Sequence, residues 1–143
     1  MQYIVRKLSE SDISLKFIDT LSNLSSCEGL TLSRCLQVFN ETRKNPSCNM
    51  FIAKDDDGVV GIATLLIEQK FIHNGGKVGH IEDVVTNAKH QNKGIASTII
   101  KKLLEIAEAE GCYKVILDCS EKNFGFYERL GFVKKETGMR LDL

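Results

Sequence analysis

The sequence predicts a mixed α/β fold, a central β-sheet with helices on both faces, and three observations carry that reading. Two β-rich runs, CNMFIAK and VVGIATLLIEQ, flank the turn cluster Asp55-Asp56-Asp57-Gly58. Apolar residues recur at helical spacing before and after those runs, and the last third of the chain alternates helix and strand signals. The resulting order, βααβββαβαβ, makes the sheet antiparallel early and gives it one parallel pair late.

The elements follow in chain order. Residues 2–8 alternate well enough for an edge strand, after which Ser9 and Asp12 offer caps for a helix carrying Ile13, Phe17, Ile18 and Leu21. A second helix starts from Thr31, with Leu32, Cys35, Leu36 and Phe39 at i, i+3, i+4 and i+7, and ends before Pro46. The two β-rich runs pair across residues 55–58 as a hairpin. HNGGK, residues 73–77, turns a second hairpin into the returning strand VGHIEDVVT. A long helix then spans about residues 94–110 and ends at Gly111; the strand YKVILD, a short helix near 124–129 and a final strand from Phe132 complete the chain.

Composition bounds the function. A chain of 143 residues, 43% hydrophobic and 27% charged, fits one compact domain over residues 1–143, with room for one core and one site. Nineteen basic residues balance nineteen acidic ones, so no global field recruits nucleic acid or an anionic membrane. No apolar run approaches the ~20 residues of a bilayer span, and the opening MQYIVRKLSE lacks a signal-type apolar core, which points to a soluble, cytoplasmic chain. The five cysteines, odd in number and without a CxxC pair, read as reduced thiols, and nothing in their spacing asks for a metal.

The most informative stretch is QNKGIA, residues 91–96, between a strand and the long helix. Gly94 and Ala96 let backbone approach a ligand closely, and the following helix turns its unpaired N–H groups and positive dipole end to the same spot, a geometry suited to a diphosphate. Neither a Walker A loop nor a GxGxxG fingerprint is present. The Q/R-x-x-G-x-G/A spacing, in this strand-to-helix context, resembles that of the GNAT acetyltransferase superfamily. The resemblance implies a GNAT fold and acetyl-CoA as co-substrate, its diphosphate held by the loop at Asn92, Lys93, Gly94, Ile95, Ala96 and Ser97. The apolar stripe Ile95, Ile99, Leu103 and Ile106 reads as core.

The superfamily also has a strand, short helix and strand bearing Asn and Tyr ahead of a GF dipeptide, and LDCSEKNFGFYERLGF, residues 117–132, is similar to it. By that likeness Asn123 bonds the pantetheine arm and Tyr127 lies beside the thioester sulfur. Amine attack on a thioester develops charge on oxygen and then on sulfur, so the site needs an N–H donor for one and a donor for the other. A thiol near pKa ~8.5 and a phenol near ~10 differ by ~1.5 units, which makes full proton transfer uphill by about 2 kcal/mol. Tyr127 is therefore expected to hydrogen-bond the sulfur.

Two longer runs, KFIHNGGKVGHIEDVVTN (residues 70–87) and GCYKVILDCSEKN (residues 111–123), resemble the glucosamine-6-phosphate N-acetyltransferase branch of that superfamily. The branch acetylates the 2-amino group of the sugar phosphate on the way to UDP-N-acetylglucosamine. By the resemblance, Glu82 and Asp83 orient the sugar, the backbone of Val84 and Val85, with Thr86, holds the acetyl arm, and Asp118 lies near the amine. Lys70, Phe71, Ile72 and His73 with Tyr113 and Lys114 line the sugar-phosphate pocket, in part from the neighbouring subunit of a homodimer. Ser25 falls where a substrate-contacting hydroxyl is common. Asp142 stands where the branch usually has a basic residue, with Arg140 near it. Read without the resemblance, Glu82 and Asp83 are solvated strand-end charges and Lys70, Lys77 and Lys114 surface lysines. Two rivals remain: a GNAT enzyme acting on a polyamine or protein lysine, and a non-catalytic acyl-CoA-binding domain.

Overall fold

In a computed structural model describing residues 2–143, the β-rich runs form five strands, hydrogen-bonded in chain order. They are β1 (Ile4–Lys7), β2 (Cys48–Asp55), β3 (Gly58–Gln69), β4 (Lys77–Thr86) and β5 (Cys112–Ile116). The first four pair antiparallel, and β4 with β5 is the parallel pair expected late in the chain. The helices are α1 (Leu15–Ser22), α2 (Leu32–Thr42), the single turn α3 (Ile72–Gly75), α4 (Ile95–Ala109) and α5 (Phe124–Glu128).

Strand alternation divides the core between the two faces. Phe51, Ala53, Ala63, Leu65 and Ile81 meet Ile95, Ile99, Ile100 and Leu103 of α4 on one side. Ile52, Val59, Ile62 and Val85 meet Phe17 of α1 and Cys35 of α2 on the other. The helical stripe of α4 is thus core as its spacing implies, with Ile99, Ile100 and Leu103 fully buried, each contributing roughly 1.5–3 kcal/mol of transfer free energy. Gly61 sets how closely α4 can approach. A Cβ there would stand 2.6 Å from Ile95 Cγ2 and 3.0 Å from Ile99 Cδ1, so only glycine lets the start of α4 lie against β3.

The first helix begins later than its caps suggest. Asp12 is 2% exposed and turned inward, where it accepts from both terminal nitrogens of Arg6 at 2.7 Å and from the Ser9 amide at 2.9 Å, and pairs with Lys54 at 3.3 Å. Burial alone would raise its pKa, but the Arg6 guanidinium and the two Ser9 donors hold the carboxyl well below the usual carboxylate range. With Asp12 engaged in a short 3-10 turn, α1 starts after Ser14, whose hydroxyl accepts from the Phe17 amide. The second helix starts where expected, with Thr31 accepting from the Arg34 amide.

The strand expected from Phe132 does not form. Phe132 is anchored through its amide to the Tyr127 carbonyl, but Val133, Met139, Leu141 and Leu143 are 70–116% exposed and residues 133–143 pair with no strand. The reason is physical: KKETGMR supplies no face that one copy of the chain could bury, so pairing with the open edge of β5 would recover little of the ordering entropy.

Candidate active site

The site grows from an irregularity in β4. Ile62 stands opposite Val85 and Thr64 opposite Glu82, so Ala63 alone faces Asp83 and Val84. This is a β-bulge, with Asp83 in the left-handed region at φ 52°, and it takes main-chain groups of Asp83 and Val84 out of the ladder. The parallel pairing of β4 with β5 runs only from Lys77 to His80, whereas β4 continues to Thr86. The two strands therefore part at their carboxyl ends, where open α/β sheets present ligand crevices.

The loop after β4 closes that end. Gly94 at φ 76° and Asn92 at φ 60° turn the chain into α4, and no side chain caps the helix. Among the described residues, no protein acceptor takes the amides of Gly94, Ile95, Ala96 or Ser97. The Gly94 carbonyl is pinned instead, accepting from the Ser97 hydroxyl at 2.9 Å and the Thr98 hydroxyl at 2.8 Å, while Tyr3 donates to Thr98 Oγ1 at 3.0 Å. A Cβ on Gly94 would meet only Ser97 Oγ, at 3.8 Å, so space over the amides is open. Four free N–H groups at the positive end of a 15-residue helix fit a diphosphate. Lys93 is exposed beside them.

On β5's side, Tyr127 of α5 is 9% exposed, packed edge-on against Phe126 and Phe132 with ring centroids 4.9 and 5.9 Å away. Its hydroxyl has no protein partner, yet only Thr64 Oγ1 and His90 Nδ1 are sealed without one among the described residues, so the Tyr127 oxygen keeps an opening. Burial, and then the neighbouring Cys119 thiol, push its pKa above the ordinary phenol value. Asn123, exposed, sits at the amino end of α5. Asp118 is exposed two residues past β5, with the carboxyl-terminal segment alongside; a Cβ on Gly138 would be 3.5 Å from its Oδ1.

The Lys70–His73, Tyr113 and Lys114 candidates occupy the other end of the sheet. At the β3–β4 hairpin, His73 and Asn74 take left-handed conformations, and the His73 ring stacks on Tyr113 at 4.0 Å. The Lys114 ammonium lies 5.8 Å from the Tyr113 ring centroid. Lys70 and His80 both donate to Glu68 Oε1 at 2.9 Å, lowering the Glu68 pKa through Lys70 first and His80 second. Lys77 pairs with Glu110 at 3.4 Å, which leaves Lys114 the lysine of this corner without a carboxylate among the described residues. Phe71 is 102% and Ile72 62% exposed. Six steps along β4 separate Lys77 from Asp83, about 20 Å at ~3.4 Å per residue, so within one chain the hairpin turn and Asp83 stand far apart along β4. Ser25 lies exposed in the connection between α1 and α2, and Arg140 pairs with Asp142 at 2.6 Å on the open tail.

Sequence patterns missed two sets of residues. Tyr3 and Thr98 brace the loop, a contact between β1's flank and α4 that no local signal announces. Residues 87–90, with their ties to α1 and to the β2–β3 turn, are the second. The strand-to-helix placement of QNKGIA could have hinted that its approach must be held, but not by what.

Residues 18–132 match the acetyltransferase (GNAT) family model. The chain is similar to the glucosamine 6-phosphate N-acetyltransferase of Trypanosoma brucei brucei, 40% identical over 141 residues that cover 97% of this chain and 95% of that one. A probable glucosamine 6-phosphate N-acetyltransferase 2 of Oryza sativa subsp. japonica is 34% identical over 96% of this chain and 86% of its own length. The crystal structure of glucosamine-6-phosphate N-acetyltransferase from Arabidopsis thaliana superposes with a TM-score of 0.95 at 32% identity, covering 99% of each chain.

Proposed function

The chain belongs to the GNAT acetyltransferase family, and on that premise we propose that it transfers the acetyl group of acetyl-CoA to the 2-amino group of glucosamine 6-phosphate. Acetyltransferases of this family use acetyl-CoA. The observation that carries the reading is the row of uncapped amides at Gly94–Ser97 opening on the crevice where β4 and β5 part, in a chain alike from end to end to enzymes of that name.

In this reading the Gly94, Ile95, Ala96 and Ser97 amides, with Asn92 and Lys93, hold the diphosphate, and Asn123 holds the pantetheine arm. Bound acetyl-CoA supplies an activated acyl group as a thioester. The main chain of Val84, freed by the bulge, with Val85 and Thr86 beside it, points an N–H at the acetyl oxygen, where charge develops. Tyr127 donates its hydroxyl hydrogen to the sulfur. Its raised pKa keeps the proton on the phenol at neutral pH and makes full transfer still less favourable, so Tyr127 stabilises the departing sulfur as a hydrogen-bond donor. Asp118 attracts the substrate ammonium and accepts its proton directly or through water, and Glu82 and Asp83 orient the sugar hydroxyls. No nucleophilic side chain is required, so the half-buried Cys112 and Cys119, whose pKa values burial raises, stay out of the chemistry.

A second copy of the chain completes the acceptor pocket. Phe71 and Ile72 are large, apolar and exposed at the tip of the hairpin, and the carboxyl-terminal segment runs unpaired past Asp118. A homodimer that covers these surfaces brings the Lys70–His73 turn, Tyr113 and Lys114 of one copy toward Glu82, Asp83 and Asp118 of the other, with Ser25 at the rim. Thiol release measured with glucosamine and with glucosamine 6-phosphate tests the assignment. A strong preference for the phosphorylated sugar is expected, and equal efficiency with both defeats it.

A further inference from the structure

Residues 87–90 carry β4 into the diphosphate loop, and Asn87, Ala88 and His90 are each fastened to a distant part of the chain. Asn87, 2% exposed, donates from Nδ2 to Asp19 Oδ2 at 2.9 Å and Thr20 Oγ1 at 3.2 Å, and the Ala88 amide donates to Asn23 Oδ1 at 2.9 Å. His90, the last residue before the loop, sends its Nε2 to Asp55 Oδ2 at 3.1 Å; the two side chains are 12% and 9% exposed. The other Asp55 oxygen accepts the Asp57 amide at 2.9 Å, which fixes the β2–β3 turn. One carboxylate thus ties a sheet turn to the root of the loop. Nε2 faces the carboxylate, an ion pair when the imidazole is protonated, so the His90 ring is turned toward the β2–β3 turn.

As packing, this pair is a poor choice. His90 Nδ1 is sealed and unpartnered, an arrangement that an apolar side chain of the same size would avoid. What the pair does supply is direction. The loop beyond it has left-handed turns at Asn92 and Gly94, no helix cap and four free amides, so its position is inherited from its root. The amides hold a diphosphate only when they converge on it together, so a displaced root weakens the grip on the cofactor.

We propose that Asp55 and His90 are positioning residues for the acetyl-CoA site: their close polar contact, made away from the ligand, sets where the Gly94–Ser97 amides meet the diphosphate. The proposal rests on the reading of that loop given above. His90→Phe keeps the volume and removes the polar partner, His90→Gln restores a polar N–H near the place of Nε2, and Asp55→Ala removes the carboxylate. Calorimetric titration with CoA and steady-state kinetics with acetyl-CoA and glucosamine 6-phosphate are run on each, beside thermal melts. In His90→Phe and Asp55→Ala, CoA dissociation and the acetyl-CoA KM rise about tenfold while kcat and the sugar KM change less than twofold, and His90→Gln recovers most of the affinity. CoA affinity unchanged in His90→Phe, or kcat and both affinities falling together in step with the melting temperature, overturns the proposal. Unaltered protein that binds CoA but leaves the sugar phosphate unacetylated defeats the acceptor assignment alone, and the CoA titrations still decide the role of the pair.

Discussion

The two ends of the sheet are built by different rules. At the end that holds the loop before α4, contacts close within one chain: Arg6 and Lys54 on Asp12, His90 on Asp55, Asn87 on Asp19 and Thr20, and the Gly61 contact that seats α4. At the hairpin end, ion pairs lie on the surface, and Phe71, Ile72, Leu66 and Ile116 remain exposed. On the proposed reading, the difference means that one copy is sufficient to bind the acyl donor, while the acceptor side waits for a second surface.

The sharpest way to break that contrast is at the hairpin tip. The double substitution Phe71→Asp with Ile72→Asp places two charges where an apolar contact is expected. It should leave a monomer by light scattering, lower kcat/KM for the sugar phosphate by roughly a hundredfold and change CoA affinity less than twofold. A monomeric variant with full turnover would mean that one chain holds the whole pocket.

The next largest effect belongs to the closed end. Asp12→Ala removes the acceptor shared by Arg6, Ser9 and Lys54 and should destabilise the fold by about 2–3 kcal/mol at neutral pH, read by urea unfolding. The pH dependence has a definite sign. Because the folded carboxyl titrates below its unfolded value of ~3.9, its contribution is fully present above that value and fades as pH falls beneath it. The gap between the two proteins should narrow progressively below about pH 4; a constant gap would show that the ion pairs are not its source.

The same contrast separates what was legible in the sequence from what was not. The α4 stripe, the β2–β3 hairpin and the loop before α4 are local patterns of period, turn chemistry and small residues, and they appear where the residues place them. The start of α1 misled because Ser9 and Asp12 have cap chemistry but are claimed by residues on β1 and β2. The bulge at Asp83 has no signature, since an aspartate in the left-handed region is a consequence of strand pairing. The final strand failed because residues 133–143 offer no face that one chain could bury, so pairing with the open edge of β5 recovers little of the ordering entropy. Family resemblance named the Lys70–His73 and Tyr113–Lys114 residues together, yet their distance from Asp83 appears only when β4 is laid out.

Within the closed end, Tyr127→Phe sharpens the division of labour between binding and chemistry. It should lower kcat about tenfold, with acetyl-CoA affinity changed less than twofold, because the hydroxyl acts as charge develops on sulfur. Burial raises the phenol's pKa, so the alkaline limb of the unaltered enzyme should not set in at the ordinary tyrosine value of ~10. An early alkaline loss that vanishes in Tyr127→Phe would show an exposed phenol and overturn this role.

The smallest effect probes the open end with a single charge. Lys70 is paired with Glu68 and Lys77 with Glu110, so neutralising either mainly rearranges a surface pair. Lys114 has no such partner among the described residues and is oriented over Tyr113, whose ring is itself stacked on His73. A phosphate arriving there meets an uncompensated ammonium, with no carboxylate to displace. Lys114→Ala should therefore raise the KM for glucosamine 6-phosphate about fivefold, leave kinetics with glucosamine unchanged and spare CoA binding, whereas Lys77→Ala should shift the sugar-phosphate KM less than twofold. Equal effects of Lys114→Ala on both sugars would remove Lys114 from the phosphate and return it to the solvated surface of β5.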